Sequence, residues 1–505
     1  MFEPRKPSPL INLPQVFGII GFFLILLSVI FLILGLLSFL WIEEMRFQYL
    51  ILTALTATVG GALFLQFERN RDLQLREVFL IVSLTWLTIC LFGAIPFYTS
   101  GSVTTYTDAF FETMSGLTTT GATIFGGVTS SGFQNPDIET LPKSLLLWRS
   151  TLHWFGGMGF IVLSIAILPM LGSGGMHLFQ AESSLLGTDK LLPRFRQTAK
   201  SLWLIYVGLT FVHFLSLWVH PAMDWFHALN HAFSTLATGG FSTLDASIGG
   251  FDSIYIDMVI TLFMFLAGIN FILHFRLLTG RFTIVTQNRE LRFYILVALA
   301  MVIAITLSLW LTQYYSVVDA FRYGAFQAIS ILTTTGYGTD NYAVWPILPL
   351  FLLFMLFFSG GSTGSTSGGI KMTRWMIVLR VMGAEIRQAV HPKAVIPVRV
   401  GDRVLSDKAI RTVMSFFAIY LLLFALGGLV LTLLGFDLLS SISASIACIG
   451  NIGPAFGEFG PIENYAAIPA TGKWILSVFM LIGRLEILAV IVLFSRDFWS
   501  HYQRS

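Results

Sequence analysis

Of 505 residues, 55% are hydrophobic and 11% are charged, against a charged fraction of about 25% in soluble domains. That excludes a soluble globular protein, and a net charge of +3 gives no reason to invoke nucleic acid. The two cysteines, Cys90 and Cys448, lie in apolar stretches and imply no disulfide framework.

A bilayer span needs about 20 predominantly apolar residues. After the basic pair Arg5 and Lys6, residues 7–42 carry no charge. That run exceeds the apolar core of about 7–15 residues in a cleaved signal peptide, so 13–41 predicts a retained first span. Residues 47–67 predict a second. A unit then recurs: an outer helix, a half-helix too short to span, a glycine turn and a returning helix. Its pieces fall at 78–96, 108–117 and 145–171, then at 202–219, about 224–236 and 254–274. The third set is 293–311, 319–332 and 346–374, and the fourth is 413–434, 437–447 and 468–494. The expected fold class is an all-α polytopic membrane protein with four helix–pore-helix–filter–helix repeats around a central pore. Two extra N-terminal helices bring the expectation to ten spans and four re-entrant half-helices. The corresponding divisions are 1–70 for the two helices, then 71–200, 201–290, 291–407 and 408–505 for the repeats.

The turns are the most informative stretches. Thr118-Thr119-Thr120-Gly121, Leu236-Ala237-Thr238-Gly239, Thr333-Thr334-Thr335-Gly336 and Gly450-Asn451-Ile452-Gly453 recur roughly every hundred residues. Glycine can hold φ > 0 and aim carbonyls inward, and rings of carbonyls replace the hydration shell of an ion in a selectivity filter. Non-helical backbone at membrane depth is tolerated only where it lines a cavity or is buried in protein. The fourth copy replaces threonines with Asn451 and Ile452, so the ring is not four-fold identical, and looser rejection of Na⁺ is expected. Each half-helix opens near an aspartate, at Asp108, Asp224, Asp319 and Asp437, a favoured N-cap residue. The far end of each half-helix would present its partial negative charge to a cation.

With the N-terminus in the cytoplasm, every Lys and Arg except Arg46, Lys143, Arg149, Arg322, Lys473 and Arg484 falls in a segment placed inside, as the positive-inside rule asks. The segments left outside are rich in acids, which would raise the local cation concentration; acids left there by the topology alone are the alternative. Residues 359–369, with Gly360, Gly361, Gly364, Gly368 and Gly369, interrupt the third returning span. A phosphate loop needs Lys directly after its last glycine, whereas Ile370 follows Gly369 and Lys371 comes one later. An intramembrane loop under the filter fits; a locally unwound helix without a gating role is the alternative. Arg484, about 16 residues into the last span, stands near mid-depth, where a charge usually faces a cavity. A structural ion pair is the other reading. Arg149 and His153 share a helix face and read as structural or hydrogen-bonding.

Several stretches are similar to the Trk/Ktr/HKT superfamily of cation transporters, specifically its bacterial TrkH/TrkG type: 148–169 (WRSTLHWFGGMGFIVLSIAILP), 231–243 (HAFSTLATGGFST), 266–275 (LAGINFILHF) and 330–340 (SILTTTGYGTD). The resemblance covers nearly the whole chain. It implies K⁺ uptake through a central pore in a homodimer of the bacterial inner membrane, with both termini cytoplasmic. It implies a gate made of the glycine loop, Lys371 and the arginine that Arg484 matches. It also implies a TrkA-type cytoplasmic ring that binds the regulatory nucleotide, NAD or ATP. No cofactor is expected in this chain, which has no G-x-G-x-x-G of its own. The basic connection at about 375–407, with Arg380, Arg387, Lys393, Arg399 and Arg403, is the expected docking site together with 190–200; a solvated loop that only fixes topology is the alternative. An H⁺- or Na⁺-coupled secondary transporter of K⁺ or another small cation remains open. Inverted repeats, the mark of many such transporters, are not expected, since two full spans per repeat preserve orientation. An intramembrane protease is disfavoured, because Thr339 separates Gly338 from Asp340 and no H-E-x-x-H occurs.

Overall fold

The computed structural model describes residues 11–67, 73–167, 191–400 and 403–499, with residues 75, 160–167, 191–198 and 403 described by backbone alone. Arg5, Lys6, Arg69, Arg71, Lys190 and Arg504, counted above among the inside basic residues, lie outside the described residues. So does the last part of the first returning helix beyond residue 167.

The chain forms two compact units. The first comprises Met1–Phe110, Pro142–Leu145 and Leu485–Ser505. Here the helices Leu13–Leu40 and Arg46–Phe64 lie along each other. They approach closely because Gly21 faces Gly60; a Cβ at Gly60 would stand 2.9 Å from the Gly21 carbonyl oxygen. Small residues at a crossing allow such packing where no hydrophobic drive between helices exists. The third helix, Leu75–Gly93, joins them through Val16, Ile20, Leu80 and Ile81. Its Glu77 carboxylate accepts the Asn12 N–H at 2.8 Å.

The second unit comprises Phe111–Leu141 and Leu146–Arg484. Long helices Leu191–Trp218, Arg289–Leu311 and Asp407–Leu433 each pack against a short one, namely Trp225–Leu236, Val317–Leu332 and Leu438–Ile449. Tyr106–Leu117 is the remaining short helix. The aspartates open these short helices in two ways. Asp224 and Asp437 are N-caps that accept the His227 and Ser440 N–H groups at 2.7 and 3.1 Å. Asp108 and Asp319 are not the caps expected. They sit three residues after Thr105 and Ser316, whose hydroxyls accept their N–H groups at 3.1 and 3.2 Å and donate back to their carboxylates. The acid in the first turn is also favoured by the partial positive charge of the helix N-terminus.

Among the described residues, six helices are long and apolar enough to cross a membrane, or eight when two broken pairs are each counted as one span. Both pairs correct the sequence expectation of straight spans. The helix expected at 254–274 is Ile254–Ala267 followed by Phe271–Leu278, bent by 98°. It breaks because Asn270 caps the new helix through Ile272 N–H at 2.8 Å. The helix expected at 468–494 stops at Arg484, and Glu486 just beyond it takes φ +65°. Arg484 is therefore the last residue of a helix rather than the middle of a continuous span. The third returning helix is interrupted as expected, between Ile347–Leu356 and Met372–Val390. The basic connection that follows carries a hairpin of two short strands, Arg399–Val400 and Arg403–Val404.

Candidate functional site

The four short helices end alike. The last helical residues are Leu117, Leu236, Leu332 and Ile449. Two residues later the backbone enters the left-handed region at Thr119, Thr238, Thr334 and Asn451, with φ of 53°, 54°, 59° and 54°. The next N–H reaches back five residues: Thr120 to Ser115 O at 2.8 Å, Gly239 to Ser234 O at 2.9 Å, Thr335 to Ser330 O at 2.8 Å and Ile452 to Ala447 O at 2.8 Å. This is a Schellman helix end. Threonine is an unusual occupant of its left-handed position, because a β-branched side chain is strained there. Repetition of that strain at three threonines marks a geometry imposed by the surroundings rather than by local preference.

A second left-handed residue follows each turn: Gly121, Gly240, Gly336 and Gly453, with φ of 81°, 83°, 80° and 99°. These glycines close a ring. A Cβ on Gly121 would overlap the Gly239 carbonyl oxygen, on Gly240 that of Thr335, on Gly336 that of Ile452, and on Gly453 that of Thr120. Each turn thus abuts the next turn's carbonyl, and the fourth returns to the first. The ring corrects the second turn by one residue. The stretch equivalent to Thr118–Gly121 is Ala237-Thr238-Gly239-Gly240, not Leu236–Gly239. Leu236 ends the helix, and Gly240 was missed. The doubled glycine was the available signal, but the first of the pair looked sufficient.

One face of the ring borders a half-open cavity of about 60 Å³, lined by Gly121, Gly240, Gly336, Pro454 and the carboxylates Asp245 and Glu463. Arg149 also reaches it. Its Nε pairs with Glu112 Oε1 at 2.9 Å and its Nη1 donates to Ser242 O at 2.9 Å. His153, one turn further along the same helix, places Nδ1 3.2 Å from Ser234 Oγ. The sequence reading of both residues as structural or hydrogen-bonding agrees with these bonds, but their partners at the second turn were not foreseen, because nothing in their spacing points at a turn 80 or more residues away.

The glycine loop packs on the short helices' C-terminal ends. Thr366 Oγ1 donates to Leu236 O at 3.0 Å, and Gly368 N–H donates to Thr334 Oγ1 at 2.6 Å. At Gly368, a Cβ would overlap the Gly450 carbonyl oxygen. Gly360 faces Gly368 across the neck of the loop with no room for a Cβ, and Gly364 and Gly369 hold φ of 78° and 61°. Gly361 O accepts Met372 N–H at 3.2 Å, and the Lys371 ammonium donates to Ser367 O. Arg484 Nη1 donates to Thr366 O at 2.7 Å while Nη2 donates to Gly156 O at 3.1 Å. The break at Gly268–Asn270 serves the loop as well: Gly268 O accepts Ser362 N–H at 2.8 Å, and Gly364 O accepts Phe271 N–H at 3.1 Å. Glu290 was missed. Its Oε1 accepts Thr363 and Thr373 N–H groups at 2.7 and 3.2 Å, one from within the loop and one from just after it. Among the described residues, no group of three or more His, Cys, Asp or Glu residues is arranged to hold a metal.

Comparison with known proteins follows the same lines. Residues 42–502 match the TrkH family, described as cation transport protein. The chain is 40% identical over 486 residues to the Trk system potassium uptake protein TrkH of Salmonella typhimurium, covering 95% of this chain and 98% of that one. It is 39% identical to TrkH of Halomonas elongata over 496 residues, covering 97% and 99%. Identity to the Trk system potassium uptake protein TrkG of Escherichia coli is 35% over 444 residues, covering 87% and 89%. The crystal structure of the potassium transporter TrkH from Vibrio parahaemolyticus superposes with a TM-score of 0.86 at 35% identity, covering 97% of this chain and all of that one.

Proposed function

Because the chain belongs to the TrkH family of cation transport proteins, it is a membrane transport protein and not an enzyme, and we propose that it takes up potassium through the ring of four turns. The cyclic contact of each glycine with the next turn's carbonyl carries this reading. Dehydrated K⁺ would be held by backbone carbonyls of Thr118–Gly121, Ala237–Gly240, Thr333–Gly336 and Gly450–Gly453. The four helix C-termini supply partial negative charge behind it, and Asp245 and Glu463 attract cations into the bordering cavity. The fourth turn breaks the symmetry. Asn451 donates through Nδ2 to Thr120 Oγ1 at 3.0 Å and Met480 O at 2.9 Å. Fewer well-formed sites and looser Na⁺ rejection than in a ring of four identical turns follow.

In this reading the four short helices belong to four repeats at 71–200, 201–290, 291–407 and 408–505. Two N-terminal helices at 1–70 precede them, giving ten spans with both termini cytoplasmic in a bacterial inner membrane. The loop around Gly360, Gly361, Gly364, Gly368 and Gly369 is the gate, held shut by Arg484 and Lys371. Two such chains form a homodimer, and a TrkA-type ring that binds NAD or ATP docks on the 375–407 connection. That connection directly follows the helix leaving the gate loop, so a pull there needs no long relay. Expression in a bacterium stripped of its own potassium uptake tests the reading. The chain should restore growth at low K⁺, and Gly453→Asp, present in the membrane at the same level, should not. Failure of the intact chain to support growth, or full support by the variant, would contradict it.

A further inference from the structure

The second turn lacks something its neighbours have. Where turns one, three and four carry the side chains of Thr120, Thr335 and Ile452, turn two has Gly239. The space is not empty. A Cβ on Gly239 would overlap the His153 ring at Nδ1 and Cγ and stand 2.6 Å from its Cε1. His153 is fully buried and comes from the first returning helix, Lys143–Ile167. Its Nδ1 meets Ser234 Oγ at 3.2 Å, and the Ser234 carbonyl accepts the Gly239 N–H. Its Nε2 has no hydrogen-bond partner among the described residues. What the ring contributes here is its bulk, which fills the place a side chain at residue 239 would take.

The same helix holds the chain just beyond the turn. Phe241 stacks on His153 with centroids 4.2 Å apart, and the Arg149 guanidinium lies 4.1 Å from the Phe241 centroid. Arg149 Nη1 binds Ser242 O, while its Nε pairs with Glu112. Glu112 in turn accepts the Ile124 N–H at 3.1 Å, three residues past Gly121. One buried ion pair therefore ties the outgoing strand of turn one to that of turn two. Turns three and four are tied differently: the Tyr342 hydroxyl, beyond turn three, donates to Ala455 O, just beyond turn four.

We propose that His153 stands in for the side chain absent at Gly239 and, with the Glu112–Arg149 pair, holds turns one and two at the spacing by which the ring distinguishes K⁺ from Na⁺. These are positioning residues: none offers an atom to the ion, and each acts through the carbonyls it holds. The inference rests on the proposed potassium uptake through this ring and names the groups that set its specificity.

The test is ⁸⁶Rb⁺ uptake by the full chain in liposomes, with Na⁺ as competitor, for His153→Ala, Gly239→Thr, the double variant and Glu112→Gln. His153→Ala and Glu112→Gln should continue to transport, with Na⁺ competing about tenfold better, a shift typical of a modest change in fit. Gly239→Thr alone should abolish uptake, because the new side chain meets the imidazole. The double variant is a nearly volume-conserving exchange that gives turn two the residue of turns one and three; it should regain both uptake and Na⁺ discrimination. His153→Ala with an unchanged Na⁺ ratio, or Gly239→Thr with wild-type uptake, would overturn the proposal. So would a double variant that fails to insert or fails to discriminate. An intact chain that takes up no Rb⁺, or does not distinguish Na⁺ from K⁺, is a separate outcome and refutes the transport reading itself.

Discussion

Replacing Gly336 by alanine adds one methyl group where the ring has no room for it. Residue 336 holds φ +80°, and placing an L side chain in that region costs about 1–2 kcal/mol. The new Cβ would also overlap the Ile452 carbonyl oxygen and lie 2.8 Å from Pro454 Cδ. Carbon contacts settle near 3.5–4.0 Å, so Pro454 must retreat by most of an ångström and the Ile452 carbonyl by more than one. Overpacking of this kind costs about 1–3 kcal/mol. If about 1.4 kcal/mol of the total falls on the difference between K⁺ and Na⁺ sites, discrimination drops tenfold. Gly338→Ala is the matched control. Its nearest neighbour would be Pro461 Cβ at 3.5 Å, an ordinary contact, and its φ is not positive. Competition of Na⁺ against ⁸⁶Rb⁺ in liposomes should therefore shift strongly for Gly336→Ala and stay at the wild-type value for Gly338→Ala. Identical competition curves for both variants and the intact chain would refute the placement of the ring at these glycines.

The proposed gate makes further predictions. Deleting 360–369 should raise Rb⁺ flux if the loop obstructs the pore; a well-folded deletion protein with unchanged or lower flux would count against it. Arg484→Ala removes both the Thr366 and Gly156 contacts and should act in the same direction, with wild-type flux leaving the arginine structural. Glu290→Ala strips the acceptor from the Thr363 and Thr373 amides, each worth about 1–3 kcal/mol when left unpaired. Faster hydrogen exchange across 359–373 and higher flux are expected, and unchanged exchange would show that the carboxylate does not anchor the loop. Reversing Arg380, Arg387 and Lys393 to glutamate should weaken binding of the regulatory ring and the response to nucleotide; wild-type binding and response would place docking elsewhere.

Much of the helical framework was legible in the sequence, since apolar length and glycine turns are local signals. Three features were not. The breaks after Ala267 and Arg484 were hidden because both runs are apolar enough to read as continuous spans. At Asn270 the break comes from a side chain capping the next helix, and a short polar residue in an apolar run does not announce that role. The second turn was read one residue early because either glycine of Gly239-Gly240 satisfies a turn. Its φ of 83° and its contact with Thr335 O show that Gly240 is the equivalent of Gly121. Glu112, Arg149, His153 and Glu290 were invisible as parts of the site because their partners are tens of residues away. By contrast, the interrupted third span was readable, since eleven consecutive small or hydroxyl residues from Ser359 to Gly369 cannot continue an apolar helix.

The central claim is that four turns, not all of the same sequence, make one potassium-selective ring. Purified protein in liposomes, loaded with K⁺ and presented with ⁸⁶Rb⁺, measures it most directly when K⁺, Na⁺ and Li⁺ are titrated as competitors. The ring predicts uptake that K⁺ inhibits at the lowest concentration, Na⁺ at higher concentration and Li⁺ least. Equal inhibition by all three ions, or a Na⁺ competition curve that stays unchanged in Gly336→Ala, would contradict it.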